Sequence, residues 1–187
     1  MSTTVLPLLT VADLDALPED DRKYELIGGE LYVSRAPHIH HQLVISNITF
    51  VFGSYLNVNR IGKIAPGPGV IFTEHDAVIP DLVFLSNERY KQIVSPEGKL
   101  TAAPDLAIEI LSLGADNLRR DRVVKRRLYG EHGVPEYWIV DLFTLSVEIY
   151  RLQENGLALV ETLKVGDTVT SPLLPGFALK VADIFQF

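Results

Sequence analysis

Apolar and polar positions recur with two different periods along this chain, which predicts a mixture of helices and strands. After Pro37, apolar residues stand at 44, 45, 48, 51, 52 and 55, the spacing of one helix face. Runs rich in Val, Ile and aromatic residues instead predict strands. These runs are "GVIFT", "DLVFLS", "DLAIEIL", "EYWIVDL", "SVEIYRL" and "GLALVETL". In "KYELIGGELYVSR", Gly28 and Gly29 predict a hairpin turn between two further strands.

Three more segments have helical signals. Thr10 is a candidate N-cap for the short helix "VADLDALP", and "SNERYKQIV" predicts a second short helix. The segment from Asp116 to His132 predicts a longer helix that Gly133 ends. The order of the predicted elements is a helix, a strand cluster, one strand-helix-strand crossover and a final strand group. We therefore expect one domain over residues 1–187, a mixed α/β fold with a central β-sheet flanked by helices.

Composition is that of an ordinary globular domain. The chain has 187 residues, 47% of them hydrophobic, and no run of 18 apolar residues that would predict a membrane span. Its N-terminus lacks a basic start and a small-residue cleavage site, so no secretory signal is expected. The absence of cysteine excludes disulfides and thiolate metal sites and agrees with a cytoplasmic location.

Charge is distributed unevenly. The net charge of −7 argues against a general polyanion binder, yet "RRDRVVKRR" holds six basic residues and one acid. The arginines of this segment spread around several helix faces: Arg119, Arg120, Arg122, Arg126 and Arg127. Two interpretations stay open, a solvated basic face and a surface that contacts phosphates.

Carboxylates interrupt two of the apolar strands, and a buried carboxylate requires compensation. Asp105 and Glu109 share one face of their strand but stand roughly 13 Å apart at about 3.3 Å per residue, too far for one metal ion. Asp105 therefore fits better as a residue that caps backbone groups where the strand begins. Asp81 begins a different strand. If the two strands are neighbours, Asp81 and Glu109 could bind one divalent ion.

The predicted helix after Glu109 carries Asp121, Lys125 and Tyr129 at i, i+4 and i+8, on one stripe. An ordinary surface ion pair with a tyrosine at the core edge explains this spacing equally well. His38, His40 and His41 in "HIHH" suggest zinc, but no partner motif supplies the remaining ligands, and we do not expect a zinc site.

Several motifs, in order, resemble one known family. "YELIGGEL", "IPDLVFLS", "PDLAIEILS", "DRVVKRRLYGEHGVPEYWIVD" and "LPGF" are similar to the Uma2 family of endonucleases (DUF820) over about residues 20–185. That family belongs to the PD-(D/E)XK, restriction-endonuclease-like superfamily, and the resemblance implies its fold.

The resemblance also implies roles for particular residues. Asp81 matches the superfamily aspartate and Glu109 the acidic residue of the second strand. Lys125 takes the place of the catalytic lysine, because the usual position two residues after the glutamate holds Leu111. Glu25 matches a further acidic residue of such sites; a solvent-facing hairpin glutamate is the alternative. His41 matches a histidine of the family near the site.

The function implied is metal-dependent hydrolysis of phosphodiester bonds in nucleic acid, with DNA the expected substrate. Asp81 and Glu109 would bind Mg²⁺ or Mn²⁺, and Lys125 would orient or help deprotonate the attacking water and offset the developing charge. A nuclease fold that binds nucleic acid or a partner without turnover is the alternative, since Leu111 replaces the usual lysine and the chain is acidic overall. A different hydrolase or a purely structural domain has no motif in its favour. An exposed sheet edge and a long apolar helix are compatible with a homodimer, the form in which many related nucleases act.

Overall fold

The computed structural model describes residues 7–18, 20–112 and 115–187, and for residues 115 and 116 the backbone alone. Part of the N-terminal stretch considered above for a secretory signal, residues 1–6, lies outside the described residues. The helices are α1 (Val11–Asp15), α2 (Ile39–Asn59), α3 (Asn87–Ile93), α4 (Ala115–Arg119), α5 (Arg126–Glu131) and α6 (Val181–Ile184). The strands are β1 (Lys23–Ile27), β2 (Glu30–Ser34), β3 (Gly62–Pro66), β4 (Val70–Thr73), β5 (Asp76–Val78), β6 (Leu82–Ser86), β7 (Leu106–Ile110), β8 (Glu136–Asp141), β9 (Ser146–Gln153), β10 (Gly156–Lys164), β11 (Thr168–Val169) and β12 (Leu179–Lys180).

The predicted mixed α/β architecture is confirmed. Within the described residues, a six-stranded sheet has the order β10-β9-β8-β7-β6-β3. Strands β7 and β8 are parallel, joined by the helical crossover, and the other neighbours are antiparallel. A four-stranded antiparallel sheet, β2-β1-β5-β4, was not predicted. The hairpin therefore forms a layer of its own instead of extending the central sheet.

The hairpin turn follows from its two glycines. Gly28 and Gly29 have φ angles of 58° and 75°, the left-handed region that a tight turn between antiparallel strands requires. The backbone N–H of Gly28 donates to Oδ1 of Asp76 at 2.7 Å, which fixes the turn against β5. Strand β1, and with it Glu25, is held beside the central sheet in this way.

Two apolar clusters cover the two faces of the central sheet. On one face, Val44, Ile48 and Phe52 of α2 pack with Ile108 of β7 and Trp138 of β8. On the other face, Ala107, Ile139 and Tyr129 pack with residues of β1, β4 and β5. Because side chains alternate along a strand, Glu109 points toward this second face.

The crossover between β7 and β8 departs from the predicted regular helix. Residues Arg120–Lys125 form a π-helical turn between α4 and α5. The hydroxyl of Tyr137 donates to the carbonyl oxygen of Asp121 within this turn, at 3.0 Å. A π turn contains an extra residue compared with an α-helix and is frequent at functional sites. Here it contains both Asp121 and Lys125.

Candidate active site

Asp81 lies just before β6, at the point where β6 and β7 adjoin. Strand β6 pairs with β7 in the register Leu82 with Ile108, so the next step places Asp81 beside Glu109. Oδ2 of Asp81 accepts a hydrogen bond of 2.9 Å from the backbone N–H of Ile110. The neighbouring-strand condition for a shared ion is therefore met.

Two cationic or polar side chains also approach Asp81. Nε2 of His41 lies 3.1 Å from its Oδ2, and Nζ of Lys23 lies 3.5 Å from its Oδ1. Because an ionised carboxylate only accepts, the Nε2 atom of His41 carries the proton. Burial alone would raise the pKa of Asp81, but the His41 hydrogen bond and the Lys23 charge outweigh it and hold that pKa well below its usual range. Asp81 is therefore ionised at neutral pH.

Glu109 is the penultimate residue of β7 and is almost fully buried. Its Oε1 accepts two hydrogen bonds of 2.8 Å, from Nζ of Lys125 and from the hydroxyl of Tyr129. Burial raises the pKa of Glu109 to about 7; Lys125 opposes this rise and the negative charge of Asp81 adds to it. Glu109 can therefore exchange a proton near neutral pH.

Lys125 lies between two carboxylates. Its Nζ is 2.8 Å from Oε1 of Glu25 as well as from Oε1 of Glu109, and its side chain is 0% exposed. Burial lowers the pKa of Lys125, but the negative charges of Glu109, Glu25 and Asp121 raise it by more than burial lowers it. The pKa therefore lies above its ordinary value and the ammonium stays charged. The predicted alternative of a surface ion pair is wrong, because this stripe of the helix faces the protein interior.

Glu25 is 1% exposed, so the alternative of a solvent-facing hairpin glutamate is also wrong. Besides Lys125, the backbone N–H of Ile79 donates to its Oε1 at 2.8 Å. Burial raises the pKa of Glu25, yet Lys125 and Lys23 lower it below its ordinary value. Glu25 therefore carries a negative charge and holds Lys125 against Glu109.

A cleft of about 640 Å³ opens at this point, and both Asp81 and Glu109 line it. Lys23 and Arg120 line the same cleft, whereas the fully buried Lys125 is not among its lining residues. Arg120 also donates from Nε to Oδ1 of Asp121 at 3.1 Å. Burial raises the pKa of Asp121, although Lys125 and Arg120 oppose that rise.

The predicted basic surface is divided by the structure. Of the five arginines of the crossover helix, all within the described part of the chain, Arg120 alone lines this cleft. Arg122 instead donates to Asp141 at 2.8 Å and to Glu148 at 2.6 Å. The other three lie elsewhere: Arg126 over the Tyr150 ring, Arg127 paired with Glu131, and Arg119 exposed beside Tyr32 in a second, smaller cleft.

Asp105 lies apart from the carboxylate pair, whereas His38, His40 and His41 line the same cleft as that pair. Oδ2 of Asp105 accepts from the backbone N–H of Ser86 at 2.7 Å, so Asp105 caps a backbone group as expected, though on the adjoining strand. His38 accepts from the backbone N–H of His40 at 3.2 Å, and the His40 ring stacks on Phe187. His41 instead faces Asp81.

Sequence comparison matches the chain to one family. A profile of the Uma2 family, described as "Putative restriction endonuclease", matches residues 11–182. The chain belongs to the Uma2 family. No curated protein matched. Among solved structures, a protein from Anabaena variabilis ATCC 29413, described as "a putative nuclease belonging to DUF820", matches with 22% identity and a TM-score of 0.75. The match covers 95% of this chain and 97% of that protein and shows that the two share a fold.

The donors of this Uma2 protein fit a small divalent cation that keeps part of its water shell. Within the described residues, no three His, Asp or Glu side chains are placed to hold one metal ion. Asp81 and Glu109 nevertheless offer carboxylate oxygens on adjacent strands, and both face the cleft. Mg²⁺ is commonly held by one or two carboxylates with waters in the other positions. The donor set therefore suits Mg²⁺ or Mn²⁺.

Lys23 is the residue of this Uma2 site that sequence reasoning missed. It stands two positions before Glu25 on β1, so equal parity puts both side chains on one face of the strand. The same alternation of side chains along a strand that was applied to Asp105 and Glu109 would have predicted that Lys23 and Glu25 share a face.

No helix in the described part of the chain is long and apolar enough to cross a membrane.

Proposed function

We propose that this protein is a divalent-metal-dependent endonuclease that hydrolyses phosphodiester bonds in nucleic acid, with DNA as its expected substrate. The observation that carries the proposal is the meeting of Asp81 and Glu109 on adjacent strands, both facing one cleft. Membership of the Uma2 family, with its description as a restriction endonuclease family, supports a nuclease-like function.

Asp81 and Glu109 would hold Mg²⁺ or Mn²⁺. When bound, such an ion supplies Lewis-acid stabilisation of the charge that develops on phosphate oxygens. The chain prepares this position before any ion binds. The Ile110 N–H fixes the Asp81 carboxylate, and the Lys125 and Tyr129 hydrogen bonds fix that of Glu109.

Lys23 is the lysine placed to contact the substrate phosphate. It lines the cleft, and its Nζ already lies 3.5 Å from a carboxylate oxygen of Asp81. Arg120 lines the same cleft and is always charged, so both side chains would neutralise phosphate oxygens.

We propose for Lys125 a role different from the water-orienting one that the resemblance implies. Its ammonium is enclosed between Glu25 and Glu109, away from the cleft surface. We infer that Lys125 is a positioning residue, which holds the Glu109 carboxylate in place, and that Glu25 positions Lys125.

The test is a cleavage assay on plasmid, linear duplex and single-stranded DNA and RNA, with Mg²⁺, Mn²⁺ or EDTA. Wild-type protein should cleave at least one substrate with metal and none with EDTA. Asp81→Asn should reduce cleavage by about 100-fold or more, because it removes a charged ligand. Asp105→Asn, from the other Pro-Asp pair, is the matched control and should keep activity. Cleavage that survives in Asp81→Asn or in EDTA contradicts the proposal.

A nuclease fold that binds without turnover is the second candidate. Leu111 replaces the usual lysine, and Lys23 and Lys125 already form ion pairs with Asp81 and Glu109. Metal-free binding of an oligonucleotide together with no cleavage in any metal would favour this candidate.

The proposal extends to assembly and location. Strand β10 is an edge of the central sheet and exposes Leu159 and Val160, a surface on which a second copy could pair. We propose a homodimer in the cytoplasm. Light scattering coupled to size exclusion, on wild type and Leu159→Lys, tests the dimer.

A further inference from the structure

The cleft that holds the carboxylate pair also has aromatic walls. Phe143 and Phe187 both line it, although they lie 44 residues apart in the chain. Their exposed fractions are 51% and 58%. Large aromatic side chains beside charged groups in a cleft indicate a binding role more than a packing role.

The backbone that carries Phe143 is anchored. Its N–H donates to Oδ1 of Asp141 at 2.8 Å, and the N–H of Thr144 donates to the same oxygen at 3.2 Å. The turn after β8 is therefore fixed while its phenyl ring stays exposed. A ring on a fixed backbone loses little conformational entropy when a ligand stacks on it.

Phe187 lies in an aromatic stack. Its ring and the imidazole of His40 are 4.4 Å apart with an interplanar angle of 11°. His40 in turn meets the edge of His38, at 4.8 Å and 73°. Since more than half of Phe187 remains exposed, its ring presents surface beyond the area that His40 covers.

Basic side chains complete the pattern. Lys23, Arg35 and Arg120 line the same cleft as the two phenyl rings. Proteins that bind single-stranded nucleic acid combine a basic groove with aromatic rings on which bases stack. The cleft volume of about 640 Å³ lies in the range of pockets that enclose a small ligand.

We propose that this cleft takes an unpaired nucleotide, whose base stacks on Phe143 or Phe187 while the adjoining phosphate lies against Lys23 and the carboxylate pair. In a paired duplex the base faces are covered by neighbouring base pairs, so they are not accessible to a phenyl ring. The substrate class is therefore single-stranded or locally unpaired nucleic acid. The placement of the phosphate rests on the proposed nuclease function; the stacking does not.

Binding without catalysis tests the stacking directly. A fluorescein-labelled oligodeoxynucleotide, as a single strand and as a duplex of the same length, is titrated with protein in EDTA and followed by anisotropy. The single strand should bind roughly tenfold or more tightly than the duplex. Phe143→Leu and Phe187→Leu should each weaken single-strand binding by roughly five- to tenfold, within the range for loss of one stacked base.

Phe50→Leu is the matched control. Phe50 is 75% exposed on α2 and does not line the cleft, so its replacement should leave single-strand affinity unchanged. A single strand that carries 2-aminopurine gives a second readout, because stacking on a phenyl ring changes its fluorescence. Equal affinity for single strand and duplex overturns the proposal, and so does wild-type affinity in both cleft phenylalanine variants.

The same proteins separate this inference from the proposed function. If Phe-dependent single-strand binding is found but no substrate is cleaved with Mg²⁺ or Mn²⁺, the stacking subsite stands and the nuclease proposal fails. If metal-dependent cleavage is found but the phenylalanine variants bind and cleave as wild type, the nuclease proposal stands and the subsite fails.

Discussion

The backbone N–H of Ile110 donates a 2.9 Å hydrogen bond to Oδ2 of Asp81, across two neighbouring strands. Ile110 directly follows Glu109, so the strand that supplies one carboxylate also orients the other. The separation of the two carboxylates is therefore determined by sheet pairing, which is far more rigid than a pair of surface side chains.

Replacing Lys125 by methionine should destabilise the fold strongly. The change leaves Glu25 and Glu109 buried without their shared cation, and breaking a buried ion pair costs about 3–5 kcal/mol. Urea unfolding at pH 8 measures the loss. Lys63→Met on edge strand β3 is the control; Lys63 is exposed and its Nζ lies over the Tyr90 ring, so its loss should cost no more than about 1 kcal/mol. The double variant Lys125→Met with Glu109→Gln should lose less unfolding free energy than the sum of the losses in the two single variants. Losses that add up would contradict a direct ion pair between Lys125 and Glu109.

Stability should fall as pH rises from about 5 to about 7. The pKa of Glu109 is about 7 in the folded protein against an ordinary value of 4.5, so the folded state binds more protons in this interval. The stability that Glu109 contributes is fully present below about pH 4.5, and it is lost as the pH rises through the folded-state pKa of about 7. The pKa of Asp121 is raised by burial and acts in the same direction, whereas the lowered pKa values of Asp81 and Glu25 affect stability only at more acidic pH.

Urea unfolding at half-unit steps between pH 5 and pH 8 measures this slope. Glu109→Gln removes the titrating group and should flatten it. A wild-type unfolding free energy that does not fall through this interval would contradict the raised pKa of Glu109.

Mg²⁺ should stabilise the protein more at pH 8 than at pH 6. A protonated Glu109 is a poor ligand, so its raised pKa makes protons compete with metal. At a metal concentration about 100 times Kd, stabilisation of about 2.7 kcal/mol is expected, which is a rise of roughly 5–10 °C in Tm. Differential scanning fluorimetry with Mg²⁺ and with EDTA measures it. Asp81→Asn should abolish the rise, and an unchanged rise in that variant would place the ion elsewhere.

Lys23→Met should weaken nucleic-acid binding without a large loss of stability. Lys23 is partly exposed at the cleft, so its replacement removes one phosphate contact. Asp81 loses its ion pair with Lys23 but keeps its hydrogen bonds with His41 and with the backbone N–H of Ile110, so the fold should stay stable. The slope of log affinity against log salt should fall by about one. Lys63→Met serves again as control, and equal salt slopes in the two variants would exclude a phosphate contact by Lys23.

The sequence was sufficient to predict the elements that depend on local patterns. Strand composition predicted β6 and β7, paired glycines predicted the hairpin, and strand parity excluded Asp105 as a partner of Glu109. The stripe of Asp121, Lys125 and Tyr129 was visible in the spacing, but spacing alone did not distinguish an inward from an outward face.

Other features depend on long-range packing and could not be predicted. The separate layer formed by the hairpin depends on β1 pairing with β5, about fifty residues away in sequence. Enclosure of Lys125 follows from that layer, because Glu25 reaches it from β1. Phe143 and Phe187 have no periodic partners in the sequence, and only the closed fold brings them to the same cleft.

The π-helical turn lets the crossover helix hold one extra residue while α4 and α5 keep a common register. Loss of one residue between Arg122 and Val124 would let this segment continue as a regular α-helix, with Lys125 and Tyr129 still directed toward Glu109. Each residue of an α-helix turns the chain by about 100°, so a further inserted residue would rotate Lys125 and Tyr129 away from Glu109. Length is therefore constrained in this short segment, and an insertion there would be harder to tolerate than a deletion.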